Sequence, residues 1–237
     1  MTADVQTIRA HGCYPITCIT ALTVQTTLGV RKVEPVAGTL VRSTLQELAK
    51  DFEIAAIRVG MLGSGPVARA VAEFLGEAGV EHVVLDPIIK ASSGADLIDR
   101  AGQKVIKDML RLAEVITPNL DEAAALVGSP VRTSSEVCGA ARKLHELGAR
   151  GVVITGGHRE EAVDLLSLEG RVEEFWAHKI ESRSNHGTGC AFATSIACGL
   201  ALGKPLRDAV VAAKRFVRQA IERAEGMGSG NGPLKLI

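Results

Sequence analysis

The chain has 237 residues, enough to bury a substantial core, and 46% are hydrophobic against 23% charged, a soluble globular balance. Lys+Arg and Asp+Glu both number 27, so formal charge is zero and no nucleic-acid or anionic-membrane surface is expected. Cys13, Cys18, Cys138, Cys190 and Cys198 are odd in number and lack a paired metal spacing, which points to reduced thiols and a cytoplasmic setting.

Residues Thr2 to His11 read as a helix with Val5 and Ile8 on one face and Gly12 as its stop. No basic-then-apolar secretion signal is seen there. Ile16 to Leu22 reads as a β-rich run and Thr23 to Thr27 as a polar loop. A helix over Thr39–Asp51 precedes the strand Ile54–Met61, and Pro66 fits the first turn of a helix reaching Ala78. His82–Pro87 is a short strand ending in Asp86. A helix over Arg100–Ala113 leads to the strand Val115–Asn119.

Leu120–Val127 and Ser134–Leu147 are predicted helices, and Gly151–Gly157 a strand closing in a glycine turn. Ala162–Leu168 and Val172–Trp176 read as an antiparallel pair. The apolar run Ala191–Leu202 is too short to span a bilayer and reads as a helix buried on all sides. The helix Pro205–Ala224 carries an apolar stripe at Val210, Ala213, Phe216, Val217, Ala220 and Ile221. The glycine-rich stretch Gly226–Gly232 is expected to be a loop.

Strands alternate with helices, and the strands are continuously apolar. That pattern predicts an α/β, doubly wound, mainly parallel central sheet flanked by helices, with antiparallel strands at one edge. In such sheets functional groups gather at the carboxyl ends of the strands. Here those ends carry Gln25, Met61, Asp86, Asn119 with Glu122, Thr155 with Gly156-Gly157, and Gly187 to Cys190. Taken singly, Asp86 before Pro87 is also explained as a turn residue and Asn119 as a helix cap.

The most chemical stretch is Ser184-Asn185-His186-Gly187-Thr188-Gly189-Cys190. Glycines let a backbone approach a ligand closely, and the helix that follows offers unpaired N–H groups at its positive end. Together they make an anion cradle, with a cysteine placed where a thiol ionises more readily. The competing explanation is an ordinary helix entry followed by a small buried hydrophobe.

With these residues in view the chain resembles the hydroxymethylpyrimidine/phosphomethylpyrimidine kinases of the ribokinase-like superfamily. The matching pieces run nearly end to end: Ile19–Gln25, Gly60-Met61-Leu62, Val84–Pro87, Ile116–Ala123, Thr155–His158 and His186–Cys190. The resemblance implies phosphorylation of 4-amino-5-hydroxymethyl-2-methylpyrimidine, then of its monophosphate, by ATP with Mg²⁺, for thiamine synthesis. It implies that Gln25 hydrogen-bonds the aminopyrimidine, that Met61 packs on its ring, and that Asp86 belongs to the substrate site. Asn119 and Glu122 would organise Mg²⁺ through water beside the nucleotide, with Thr155 and Gly157 also on the nucleotide side. Gly187, Thr188 and Gly189 would form the anion hole, and Cys190 would take the hydroxyl proton. A homodimer is also implied.

Two departures from the family pattern stand out. Residues 1–237 read as a single kinase domain that begins inside the pattern, without its opening strand and glycine-rich loop; a central gap in the sheet is then expected. Thr155 stands where many members have a phosphate-reaching lysine, for which Arg159 or Lys214 would have to substitute. Three alternatives stay open: pyridoxal kinase activity, a non-catalytic pyrimidine-binding relative, and a hydrolase that pairs Cys190 with His186.

Overall fold

The computed structural model describes residues 1–91, 94–156 and 163–237. Gly157, His158, Arg159 and the start of the strand expected from Ala162 lie outside the described residues. The first helix, α1, spans Thr2–Ala10. The hairpin β1 (Ala21–Thr26) and β2 (Gly29–Pro35) follows, then α2 (Gly38–Asp51), β3 (Ala56–Val59) and α3 (Gly65–Ala78). Next come β4 (His82–Leu85), α4 (Arg100–Met109) with a short 3₁₀ turn after it, and β5 (Val115–Ile116). The remainder is α5 (Leu120–Val127), α6 (Ser134–Glu146), β6 (Gly151–Ile154), β7 (Asp164–Leu168), β8 (Arg171–Phe175), α7 (Thr188–Ala201) and α8 (Leu206–Glu222).

The main sheet runs β3-β4-β5-β6-β7-β8, parallel from β3 to β6 and antiparallel from β6 to β8. Its central strands β4, β5 and β6 are almost wholly apolar because both faces are covered. Val83 and Leu85 point into the cluster beneath α2 to α6, whereas Val84, between them, points into the cluster beneath α7 and α8. The doubly wound expectation therefore holds, with its antiparallel strands at one edge.

The main sheet ends at β3, and the cleft lies between that strand and residues 13–20. One expectation fails. The run Ile16–Leu22 was expected to be a strand and Thr23–Thr27 a loop. In fact residues 13–20 are irregular, and the strand is Ala21–Thr26, paired with a β2 that the sequence reading missed. The apolar residues of the earlier run are drawn to the cleft wall and to α2, as with Cys18, whose thiol donates to the Val41 carbonyl at 3.9 Å. The polar alternation of β1 suits a ribbon exposed on both faces, with Leu22 and Val24 left in solvent.

Helix α7 is buried over Ala191–Leu200, as its composition required. Its two internal polar residues are both used: Thr194 Oγ1 donates to Asp4 Oδ1 at 2.8 Å, and Ser195 Oγ pairs with His11 Nε2 at 2.8 Å. These bonds dock α1 against α7 and satisfy hydroxyls that burial would otherwise make costly.

The glycine-rich stretch near the C-terminus threads between the hairpin and the start of α7. Asn231 N donates to Thr27 O at 2.8 Å, Gly232 N to Arg183 O at 2.8 Å, and His186 N to Gly232 O at 3.0 Å. A Cβ on Gly230 would lie 2.2 Å from the Thr27 carbonyl oxygen, so only glycine permits this approach. Gly230→Ala is expected to lower stability by about 1–3 kcal/mol in urea unfolding. Gly139→Ala, on α6 with nothing within 4 Å of its Cβ position, should instead gain about 0.5–1 kcal/mol. An unchanged midpoint for Gly230→Ala would mean that the stretch is not held against the hairpin.

Candidate active site

One cleft of about 2360 Å³ is lined by Gln25, Met61, Asp86, Asn119, Glu122, Thr155 and residues 187–190. Every candidate site residue that is described therefore opens onto the same space: Met61, Asp86, Asn119, Glu122 and Thr155 follow the parallel strands β3 to β6, whereas Gln25 belongs to the separate hairpin and residues 187–190 to the entry of α7. Residues 187–190 form the turn into α7. Gly187 is its N-cap with φ +88, a left-handed conformation that favours glycine, and no side chain caps the helix. The first-turn N–H groups are thus left for whatever occupies the cleft.

Behind Cys190 lies a group that the sequence reading did not single out. Arg58 projects from β3 and is ion-paired with Asp86; its Nη1 is 3.4 Å from Asp4 Oδ1 on α1, and its charge bears on the Cys190 thiol. Burial opposes the guanidinium charge, but Cys190, Asp86 and Asp4 outweigh it and hold the group more firmly protonated than usual. Gly60 must lack a side chain here, because a Cβ would meet Arg58 Nη1 at 2.0 Å. The available signal was an arginine interrupting the apolar strand Ile54–Val59.

The same cluster corrects the expected acidity of Cys190. Burial pushes its thiol up, Arg58 pulls it down, Asp86 and Asp4 push it further up, and the net shift is upward. The helix terminus alone would favour the thiolate, but the desolvation and the carboxylates dominate. Cys190 therefore rests as a thiol near neutral pH. Asp86 is also raised, by burial first and against the pull of Arg58.

Asn119 and Glu122 form the capping box of α5. Glu122 N donates to Asn119 Oδ1 and Asn119 N to Glu122 Oε2, both at 2.9 Å. The cap and the cleft lining are the same two side chains. Burial, reinforced by Asp86, pushes Glu122 up to about 8 despite the backbone N–H groups of Asn119 and Ile89. Thr155 bridges to Asn119 at the end of β6, its N–H donating to Pro118 O at 2.9 Å. Close by, Asp164 Oδ1 accepts from Gly156 N at 3.0 Å while Oδ2 pairs with Lys214 Nζ at 2.7 Å, so α8 brings a lysine to the cleft beside Thr155.

Gln25 reaches the site from the hairpin. Its Nε2 lies 3.1 Å from His186 Nε2. Met61 lines the cleft, and its carbonyl accepts from Thr20 Oγ1 at 2.6 Å. Among the described residues no group of three or more His, Cys, Asp or Glu could hold a metal, and no helix is long and apolar enough to cross a membrane.

The fold and this arrangement, an uncapped helix start facing buried acids across a sheet edge, define a ribokinase-like small-molecule kinase. A family model described as phosphomethylpyrimidine kinase matches residues 1–235. The chain belongs to the phosphomethylpyrimidine kinase family, a family of phosphotransferases. It is 35% identical to the hydroxymethylpyrimidine/phosphomethylpyrimidine kinase of Haemophilus influenzae, over 98% of this chain and 88% of that one. It is 40% identical to the thiamine biosynthesis bifunctional protein ThiED of Geobacter sulfurreducens, covering 99% of this chain but 49%, about half, of that protein. The solved pyridoxal kinase of Staphylococcus aureus, in complex with AMP-PCP and pyridoxal, superposes with a TM-score of 0.90 at 26% identity, over 100% of this chain and 87% of that one.

The raised pKa of Glu122 makes folding stability depend on pH. Between its ordinary 4.5 and about 8, the folded state holds a proton that the unfolded chain has released. Stability should therefore fall as pH rises through that window and level off above it. Glu122→Gln keeps the capping geometry and should flatten the slope, read by urea unfolding at pH 5, 6.5 and 8. Parallel pH profiles for the two proteins would count against the buried, protonated carboxyl.

Proposed function

We propose that this chain transfers the γ-phosphoryl group of ATP to the hydroxymethyl group of 4-amino-5-hydroxymethyl-2-methylpyrimidine, and then to the resulting monophosphate. The observation that carries this is the convergence of Gln25 and Met61, the Asn119–Glu122 pair and the Gly187–Cys190 turn on one cleft. In this reading Gln25 hydrogen-bonds the pyrimidine, Met61 packs on its ring, and Asp86 closes the substrate side. Backbone N–H groups of residues 187–190 receive the migrating phosphoryl group. Positioning and charge neutralisation of this kind account for most of the catalysis of phosphoryl transfer.

The donor set also fits Mg²⁺. Burial and the nearby Asp86 both push Glu122 toward its protonated form, which a divalent cation would relieve. Few protein ligands are expected, since Mg²⁺ keeps water and phosphate oxygens in its shell. Bound Mg²⁺ would supply charge at the triphosphate; Asn119 and Glu122 would hold it through water, with Thr155 and Gly157 on the nucleotide side. Lys214 takes the place of the lysine missing at Thr155, reaching the phosphates from α8. Lys214→Met should raise KM for ATP about tenfold or more with a smaller change in KM for the pyrimidine, read in steady-state kinetics.

Cys190 accepts the hydroxyl proton as the oxygen–phosphorus bond forms, and Arg58 stabilises the thiolate that this requires. Because the thiol rests protonated, turnover should climb with pH between 7 and 9, by up to about tenfold per unit. Cys190→Ala should lower kcat about 10²–10⁴-fold with little change in pyrimidine binding, and should abolish the climb. Unchanged turnover would leave residues 187–190 only the cradle role.

The likeness to a pyridoxal kinase solved with pyridoxal favours a second substrate, a hydroxymethyl group on a hydroxypyridine. Release of ADP with each alcohol, and with the pyrimidine monophosphate, separates the two activities. Release with neither alcohol would leave a non-catalytic binding protein.

A further inference from the structure

Gln25 and His186 are 161 residues apart, yet their Nε2 atoms lie 3.1 Å from one another. His186 is not free to drift. Its N–H donates to Gly232 O at 3.0 Å, it bridges to Pro233, and the buried Ser184 lies two residues before it. Gln25 sits at the bulge in β1, where the register with β2 shifts between Val24 and Gln25, and Thr23 Oγ1 donates to its Oε1 at 3.4 Å.

A carboxamide has a donor end and an acceptor end, and whatever holds one end decides which is left for a ligand. With the Gln25 amide nitrogen on His186 Nε2, the imidazole must accept there, with its proton on Nδ1. The carbonyl end of Gln25, which accepts from Thr23, keeps a second lone pair for a ligand. An exocyclic amino group on a heteroaromatic ring donates to that end. An ionised ring oxygen, as on a deprotonated hydroxypyridine, only accepts and would meet acceptor against acceptor unless the amide turned over. Both side chains, Gln25 and His186, are exposed in the open cleft; a ring that covers them takes their water away, and only then does an opposed hydrogen-bond pattern leave polar groups unpaired.

We propose that His186 is a positioning residue that selects the substrate, by holding the Gln25 amide with its carbonyl toward the ring's amino group. This rests on the reading of Gln25 as the pyrimidine contact.

The test is calorimetric binding of the aminopyrimidine alcohol and of pyridoxal, without nucleotide, to the full chain and to two variants. His186→Lys presents only donors and should turn the amide over. The aminopyrimidine Kd should then rise about tenfold, while pyridoxal binds unchanged or more tightly. His186→Glu presents only acceptors and should keep the aminopyrimidine within about threefold of the unsubstituted protein. Equal shifts for both ligands in the two variants would overturn the role of His186 and leave the kinase reading standing. Failure of the unsubstituted chain to bind the aminopyrimidine alcohol would remove both.

Discussion

A single buried guanidinium organises the centre of this molecule. Arg58 leaves β3 in the middle of the protein and finds carboxylates from two other segments, Asp4 on α1 and Asp86 at the end of β4. Breaking such a group away from its partners leaves an uncompensated buried charge, which is far more costly than the pair is favourable. The three segments are therefore held together by charge as well as by apolar packing. The charge of the same guanidinium bears on the Cys190 thiol at the start of α7. Stability and the proposed chemistry meet at one side chain.

Around that centre the cleft is assembled from opposite ends of the chain. The hairpin brings Gln25, the stretch before α7 brings His186, and the glycines near the C-terminus lie between them against Thr27. None of these pieces is a strand of the main sheet. They are held by a few hydrogen bonds and close backbone approaches, whereas α7 beneath them is buried along nearly its whole length. A rigid helix start facing a lightly held hairpin is a sound division of labour: the anion cradle stays fixed while the ring-binding side can adjust to a ligand.

The capping box of α5 shows why structural and functional explanations of a residue need not compete. Asn119 and Glu122 close the first turn of a helix, and the two hydrogen bonds fix their orientation. That same fixing holds a buried carboxyl of raised pKa at the cleft wall, opposite Asp86. A spacing of three residues is what the cap requires, and it also sets both side chains on the cleft side of the turn.

The alternation of apolar strands with amphipathic helices was legible along the chain, since periodicity and glycine or proline punctuation are local properties. So were the candidate groups after β3 to β6, because a parallel sheet puts all those ends on one side; Gln25 and residues 187–190 join them only through the tertiary structure. The hairpin was misread because its ribbon is exposed on both faces: the alternation in β1 marks no buried side, and Ile16–Leu22 carried the stronger apolar signal. The amino-acid sequence by itself determined the doubly wound fold, the buried α7 and the glycine turn that opens it, all set by neighbours a few residues apart. Only the tertiary structure decided that Arg58 would face Asp4, Asp86 and Cys190, that His186 would hold Gln25, and that Cys190 would rest protonated. Pairings across many residues and the cost of removing water from a charge exist only once distant segments close around it.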